Sequence, residues 1–230
     1  MIYVIGNKIH KNTPGLWGEG EAYVRNEIYR KVENKLPPVN YDGHHIKPHS
    51  LTHAESAKHT SNQGRTVDMM IKDNPEYFYG ECLLVKLESD YVEIAEGIYK
   101  KEIGTDELKQ KINELNNGVI PRKILITSHD YKRNYIGYHD PSYILVLSRA
   151  AAEFLTGDSE LHLYGTSWKS SDYQPNSIER PIHDILLSKG VIFELLDLYD
   201  VPEGKYIFSG MPLYIENSSE SPVTPILISI

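Results

Sequence analysis

The chain has 230 residues, 40% hydrophobic and 24% charged, with a formal net charge of −8. These proportions exclude a disordered chain and allow a sizeable core. The acidic balance opposes nucleic-acid and anionic-membrane binding, which call for a basic patch, and no apolar run is long enough to span a bilayer.

In chain order, MIYVI reads as a short strand. The first dozen residues have neither the apolar length nor the cleavage signal of a secretory peptide, so a cytoplasmic location is expected. In EAYVRNEIYRKVENKL, Tyr23, Val24, Ile28, Tyr29 and Val32 fit one helix face, yet the same residue types favour strands, and both readings stay open. Pro37, Pro38 and Asn40 punctuate the approach to a histidine-rich stretch, Lys47 to Met70. Its end reads as a loop through Gly64 and a helical turn that Asp73, Asn74 and Pro75 terminate. Glu81 to Glu88 is a buried-strand pattern. It holds Cys82, the only cysteine, which is expected to be an inert buried thiol and permits no internal disulfide.

Lys100, Lys101, Lys109 and Lys111 are expected on an exposed helix. Gly104 to Asn117 has helical periodicity in Leu108, Ile112 and Leu115, with Thr105 as its N-cap and Asn117-Gly118 as its stop. Pro121 introduces the strand KILIT, and YILVL leads into an Ala-rich helix capped by Ser148. ELHLYGT is a strand feeding the loop SWKSSDYQPNSIER, where Trp168 is a candidate either to stack on a substrate or to pack. Pro181 begins a short helix that Gly190 stops, and VIFELLDL is an apolar strand carrying Glu194 in its middle. YIFSGMPLYIE and PILISI are expected to pair around the turn-rich ENSSESP. Strands separated by single helices predict an α/β fold with a mixed sheet. No linker interrupts residues 1–230, so one domain is expected.

The histidine-rich stretch concentrates the metal-compatible side chains. His49, His53, Glu55 and His59 offer the imidazole and carboxylate ligands that a borderline cation prefers. No regular element brings all four together. On a strand they share a face but span about 33 Å at about 3.3 Å per residue. On a helix His49 and His53 oppose Glu55 and His59, and a helix through His45, His49 and His53 meets Pro48. Convergence requires a bend, as at a strand end leading into a short helix. Downstream, His183 and Glu194 are the candidates to complete such a site.

HSLTHAESAKH resembles the HxGTHxDxPxH signature of a cyclase family that includes bacterial kynurenine formamidases and isatin hydrolases. QGRTVDMMI is similar to that family's G-x-T-V/I-D segment, and LYGTSWKSSD to its G-x-D-x-x-S-x-D loop. IHDILLSKGVIFELLDL and GMPLYIENSSESPVTPILI resemble its last helix-strand unit and closing strand pair. The resemblance implies a swivelling β/β/α cyclase-like fold with a mixed, barrel-like sheet. It implies metal ligation by His49, His53, Glu55 and Glu194, with His59 as a proton shuttle and His183 as the second catalytic residue. It further implies one or two Zn²⁺ or Mn²⁺ ions, hydrolysis of a small amide, formamide or lactam, and a homodimer or homotetramer. Leu51, Glu55, Ala57 and the Ser167-Trp168 pair depart from the family pattern. The alternative is therefore an altered homologue that binds metal or a ligand without hydrolysis.

Overall fold

The computed structural model describes residues 1–157 and 159–230. In chain order its strands are β1 (Ile2–Val4), β2 (Tyr23–Tyr29), β3 (Tyr41–Ile46), β4 (His53–Glu55), β5 (Tyr79–Leu87), β6 (Val92–Ala95), β7 (Ile98–Ile103), β8 (Lys123–Ser128), β9 (Tyr143–Leu147), β10 (Leu163–Thr166), β11 (Val191–Glu194), β12 (Gly204–Ser209), β13 (Glu220–Pro222) and β14 (Ile226–Ser229). The helices are α1 (Val67–Asp73), α2 (Thr105–Asn116), α3 (Arg149–Thr156) and α4 (Pro181–Leu187).

A curled, mixed sheet runs in the order β1-β14-β12-β5-β8-β10-β11-β4-β13, with β5, β8, β10 and β11 parallel at its centre. These are the strands that read as unbroken apolar runs, because both of their faces are covered. Period-two alternation sends Leu83, Val85 and Leu87 to the side carrying Leu108, Ile112, Ala151, Leu155 and Leu186 of the helices. Cys82 and Leu84 face the other way, into a second cluster with Phe193, Phe208 and Leu163. The α/β class with a mixed sheet is what the pattern of elements predicts, and its barrel-like curl is what the resemblance implies.

Smaller sheets flank this core: β2 pairs with β3, and β7 lies between β6 and β9. The ambiguous segment after Gly20 is thus a strand, and its tyrosines stack across the pair, Tyr29 on Tyr41.

Three local expectations need correction. Lys100 and Lys101 lie on β7, not on a helix, and Lys101 is buried between Asp90 (2.6 Å) and Glu107 (2.9 Å). Gly104, not Thr105, occupies the N-cap of α2, while its end at left-handed Asn117 is as expected. ENSSESP is not only a turn: its last residues form β13, which pairs with β4 and becomes the edge of the sheet.

Candidate metal centre

The histidine-rich stretch bends as its spacing requires. Pro48–Ser50 forms one 3₁₀ turn, β4 follows, and Ala57–His59 forms a second. Gly64 permits the second bend, since a β-carbon there would lie 2.2 Å from the Ala57 carbonyl carbon. Leu51, which stands where the family pattern has glycine, adopts φ −128° and is buried, so its side chain fits an extended backbone without strain.

Sheet register supplies the remaining groups. β4 lies between β11 and β13, with His53 opposite Glu194 and Glu55 opposite Glu220. Directly opposed residues share a face, with β-carbons about 5 Å apart. Three carboxylates from three adjacent strands therefore crowd one end of the sheet, where the parallel strands β10 and β11 terminate. Glu194 is the last residue of β11 and not its middle, because Leu195 turns to φ 56° and breaks the strand.

The six residues singled out in the sequence meet there. His49 Nδ1 and His53 Nε2 are 3.1 Å apart, and Glu55 Oε1 lies 3.1 Å from His53 Nε2 and 3.4 Å from His49 Nδ1. His59 Nε2 approaches the same oxygen at 3.7 Å. On the other side, His183 Nε2 is 3.3 Å from Glu55 Oε2 and 3.4 Å from Glu194 Oε1. His53, Glu55, His183 and Glu194 are sealed from solvent, whereas His49 and His59 are partly open and form the mouth.

A second layer fixes these side chains. His53 Nδ1–H donates to the Leu51 carbonyl (2.8 Å). Glu194 Oε1 accepts from the Ser171 backbone N–H (2.5 Å) and hydroxyl (2.8 Å). Asp172 does two jobs. Its carboxylate accepts from His183 Nδ1–H at 2.7 Å, and it accepts the backbone N–H groups of Ile182 and His183, capping α4 from a distant loop. Sequence reasoning did not assign Ser171, Asp172 or Glu220. Asp172 does sit in the matched loop motif. Glu220 had no signal, because only its pairing with β4 brings it beside His59 (Nδ1 to Oε2, 3.9 Å).

These atoms fit a cation. Donors held at about 2.0–2.2 Å from one tetrahedral centre lie about 3.3–3.6 Å apart, close to the separations among His49, His53 and Glu55. The groups His49–Glu55–His59 and His53–Glu55–Glu194 each hold their ligand atoms within 4.8 Å of one another. Glu55 Oε2 is buried without an aligned hydrogen bond, despite its contact with His183. Burying carboxylates costs several kcal/mol each, about, unless positive charge accompanies them.

The titration behaviour has the same cause. Burial works against the charged form of His183, yet Glu55, Asp172 and Glu194 overcome it and raise its pKa well above the ordinary value. His53 is raised, against its burial, by Glu55 and Glu194. Glu55 is held well below the carboxylate range, against burial, chiefly by His183. Glu220, beside His59, drops to about 2. Of the four histidines in the cluster only His49, where burial prevails and His53 adds to it, is lowered. The cluster draws positive charge, and protons and a metal ion compete for the same atoms.

Trp168 is buried and packs, its indole N–H directed at the Pro141 carbonyl, so it is not available to a substrate. Cys82 is buried, and burial raises its thiol pKa, as expected of an inert cysteine. Among the described residues no helix is long and apolar enough to cross a membrane.

No family model and no curated protein sequence matches the chain. Solved structures do. Isatin hydrolase A from Labrenzia aggregata, bound to benzyl benzoate, superposes with a TM-score of 0.77 at 16% identity, covering 100% of this chain and 94% of that one. Isatin hydrolase A from Ralstonia solanacearum gives 0.76 at 17% identity, covering 100% and 92%. A protein described as a predicted metal-dependent hydrolase from Bacillus stearothermophilus gives 0.68 at 21% identity, covering 99% and 97%. The fold of this chain is therefore theirs.

Proposed function

We propose that the chain is a metal-dependent hydrolase of a small amide, formamide or lactam. The observation that carries this reading is the convergence of His49, His53 and Glu55 on one point, with His59 at the open edge. The names of the structural neighbours support it. His49, His53 and Glu55 would hold the ion, Zn²⁺ or Mn²⁺, and Glu194 with His183 would complete the set or take a second one. When bound, such an ion supplies Lewis acidity, polarising a carbonyl and lowering the pKa of water toward about 7.

The chain's own groups supply the rest. His59, part-exposed and flanked by Glu55 and Glu220, would carry a proton on Nε2 toward a leaving nitrogen. Burial opposes its protonated form, but Glu220 and Glu55 outweigh burial and raise its pKa. Asp172 holds the His183 Nδ1 proton and leaves Nε2 facing Glu55 and Glu194. Ser171 fixes one oxygen of Glu194, which directs the other toward His53.

The test is metal analysis of the purified protein combined with a screen of aryl formamides, cyclic imides and lactams. Hydrolysis that a chelator stops and Zn²⁺ or Mn²⁺ restores is the expected result. Stoichiometric metal with no turnover of any of them would assign the chain to ligand or metal binding instead.

A further inference from the structure

A second cavity lies at the other end of the parallel strands, where β5 and β8 begin and the chain enters β10. Its volume is about 710 Å³, and Lys123 and His162 line it together with the apolar side chains of Leu83, Val119 and Ile120. Lys123 is only 4% exposed. Its ammonium lies against Gly80, another lining residue, where a β-carbon would come 3.3 Å from Nζ. Among the described residues no carboxylate oxygen is within 4.0 Å of that nitrogen, and no acceptor hydrogen-bonds to it. His162 Nδ1 is likewise buried without a hydrogen-bond partner.

An ammonium that lines a cavity with no anion beside it would gain a charge-assisted hydrogen bond from an anionic ligand. Burial lowers the Lys123 pKa, consistent with the missing counter-charge. Glu76 and Glu81 line the same cavity. They do not reach Lys123; Arg122 and Lys205 line the cavity as well, Arg122 being paired with Glu160.

We propose that this cavity is a binding site for a small monocarboxylate with an apolar body. The carboxylate would sit on Lys123 Nζ, and the body would lie against Leu83, Val119 and Ile120, with His162 completing the wall. The site is separate from the candidate metal centre and does not depend on its function.

Calorimetric titration of the full chain with benzoate, and with benzamide as its uncharged counterpart, tests this. Benzoate should bind once per chain, and benzamide at least about tenfold more weakly, the equivalent of losing one charge-assisted hydrogen bond. Lys123→Met should weaken benzoate by a similar factor, while His53→Ala, which disables the metal centre, should leave it unchanged. Should Lys123→Met fail to fold, His162→Phe decides, with a severalfold loss expected. Absence of benzoate binding, equal affinity for benzamide, benzoate binding unaffected by Lys123→Met or by the deciding His162→Phe, or its loss in His53→Ala would each overturn the proposal.

Discussion

Two regions of the molecule bury histidine with opposite results. At the candidate metal centre His53 and His183 are buried among carboxylates and their pKa values rise. Beyond the ends of β8 and β10, His139 is buried against neutral partners. Its Nε2–H donates to the Tyr143 carbonyl (2.8 Å), and its Nδ1 accepts from the Ser167 hydroxyl (3.0 Å), which also contacts Thr127 (2.8 Å). Tyr131 stacks on the ring at 4.6 Å, and burial pushes the pKa down to about 4. Desolvation is common to both regions. What differs is the carboxylate supply, so burial alone does not mark a functional histidine, whereas burial opposed by convergent carboxylates does.

The largest effect that would break this contrast concerns His53. His53→Ala should reduce bound metal, measured by elemental analysis, to background and abolish any metal-dependent turnover, whereas His139→Gln should leave metal content intact. The next prediction concerns pH. In the unfolded chain His139 takes a proton near pH 6.5, in the folded chain only near pH 4. Between those values the unfolded state binds more protons, so stability falls as pH drops through the window. The loss reaches about 3 kcal/mol and is absent above pH 6.5. Urea unfolding at pH 7 and pH 5 isolates this contribution as a difference: on acidification the wild type should lose more stability, or gain less, than His139→Gln does.

A smaller effect is expected at the second layer. Asp172→Asn should lower metal affinity by about 10–100-fold, because an amide holds the His183 ring less firmly and less basic than a carboxylate does. Competition with a chromogenic chelator measures it, and the same substitution weakens the cap of α4. Ser171→Ala should cost less than about tenfold in the same assay, since the backbone N–H at 2.5 Å still holds Glu194.

Much of the fold was legible because a two-sided sheet writes itself as apolar runs. CLLVKL, KILIT and VIFE were readable as strands for that reason, and Ser148 was readable as a cap whose hydroxyl accepts the Ala151 N–H. Lys101 was not, because its partners Asp90 and Glu107 come from other elements and a lysine-rich run looks solvated. The candidate ligands could be named from spacing and resemblance, and the need for a bend followed from geometry. Their assembly could not be read, since it depends on register: Glu194 and Glu220 reach the site by pairing with β4, a non-local fact that no local pattern carries. Asp172 has the same character, capping a helix ten residues further along while it holds the side chain of His183.

The most direct test of the metal centre is anomalous X-ray scattering from crystals of the protein grown with Zn²⁺. A peak at coordination distance from His49 Nδ1, His53 Nε2 and Glu55 Oε1 is the result expected. Zinc bound only elsewhere, or no peak beside these three atoms in fully folded protein, would contradict it.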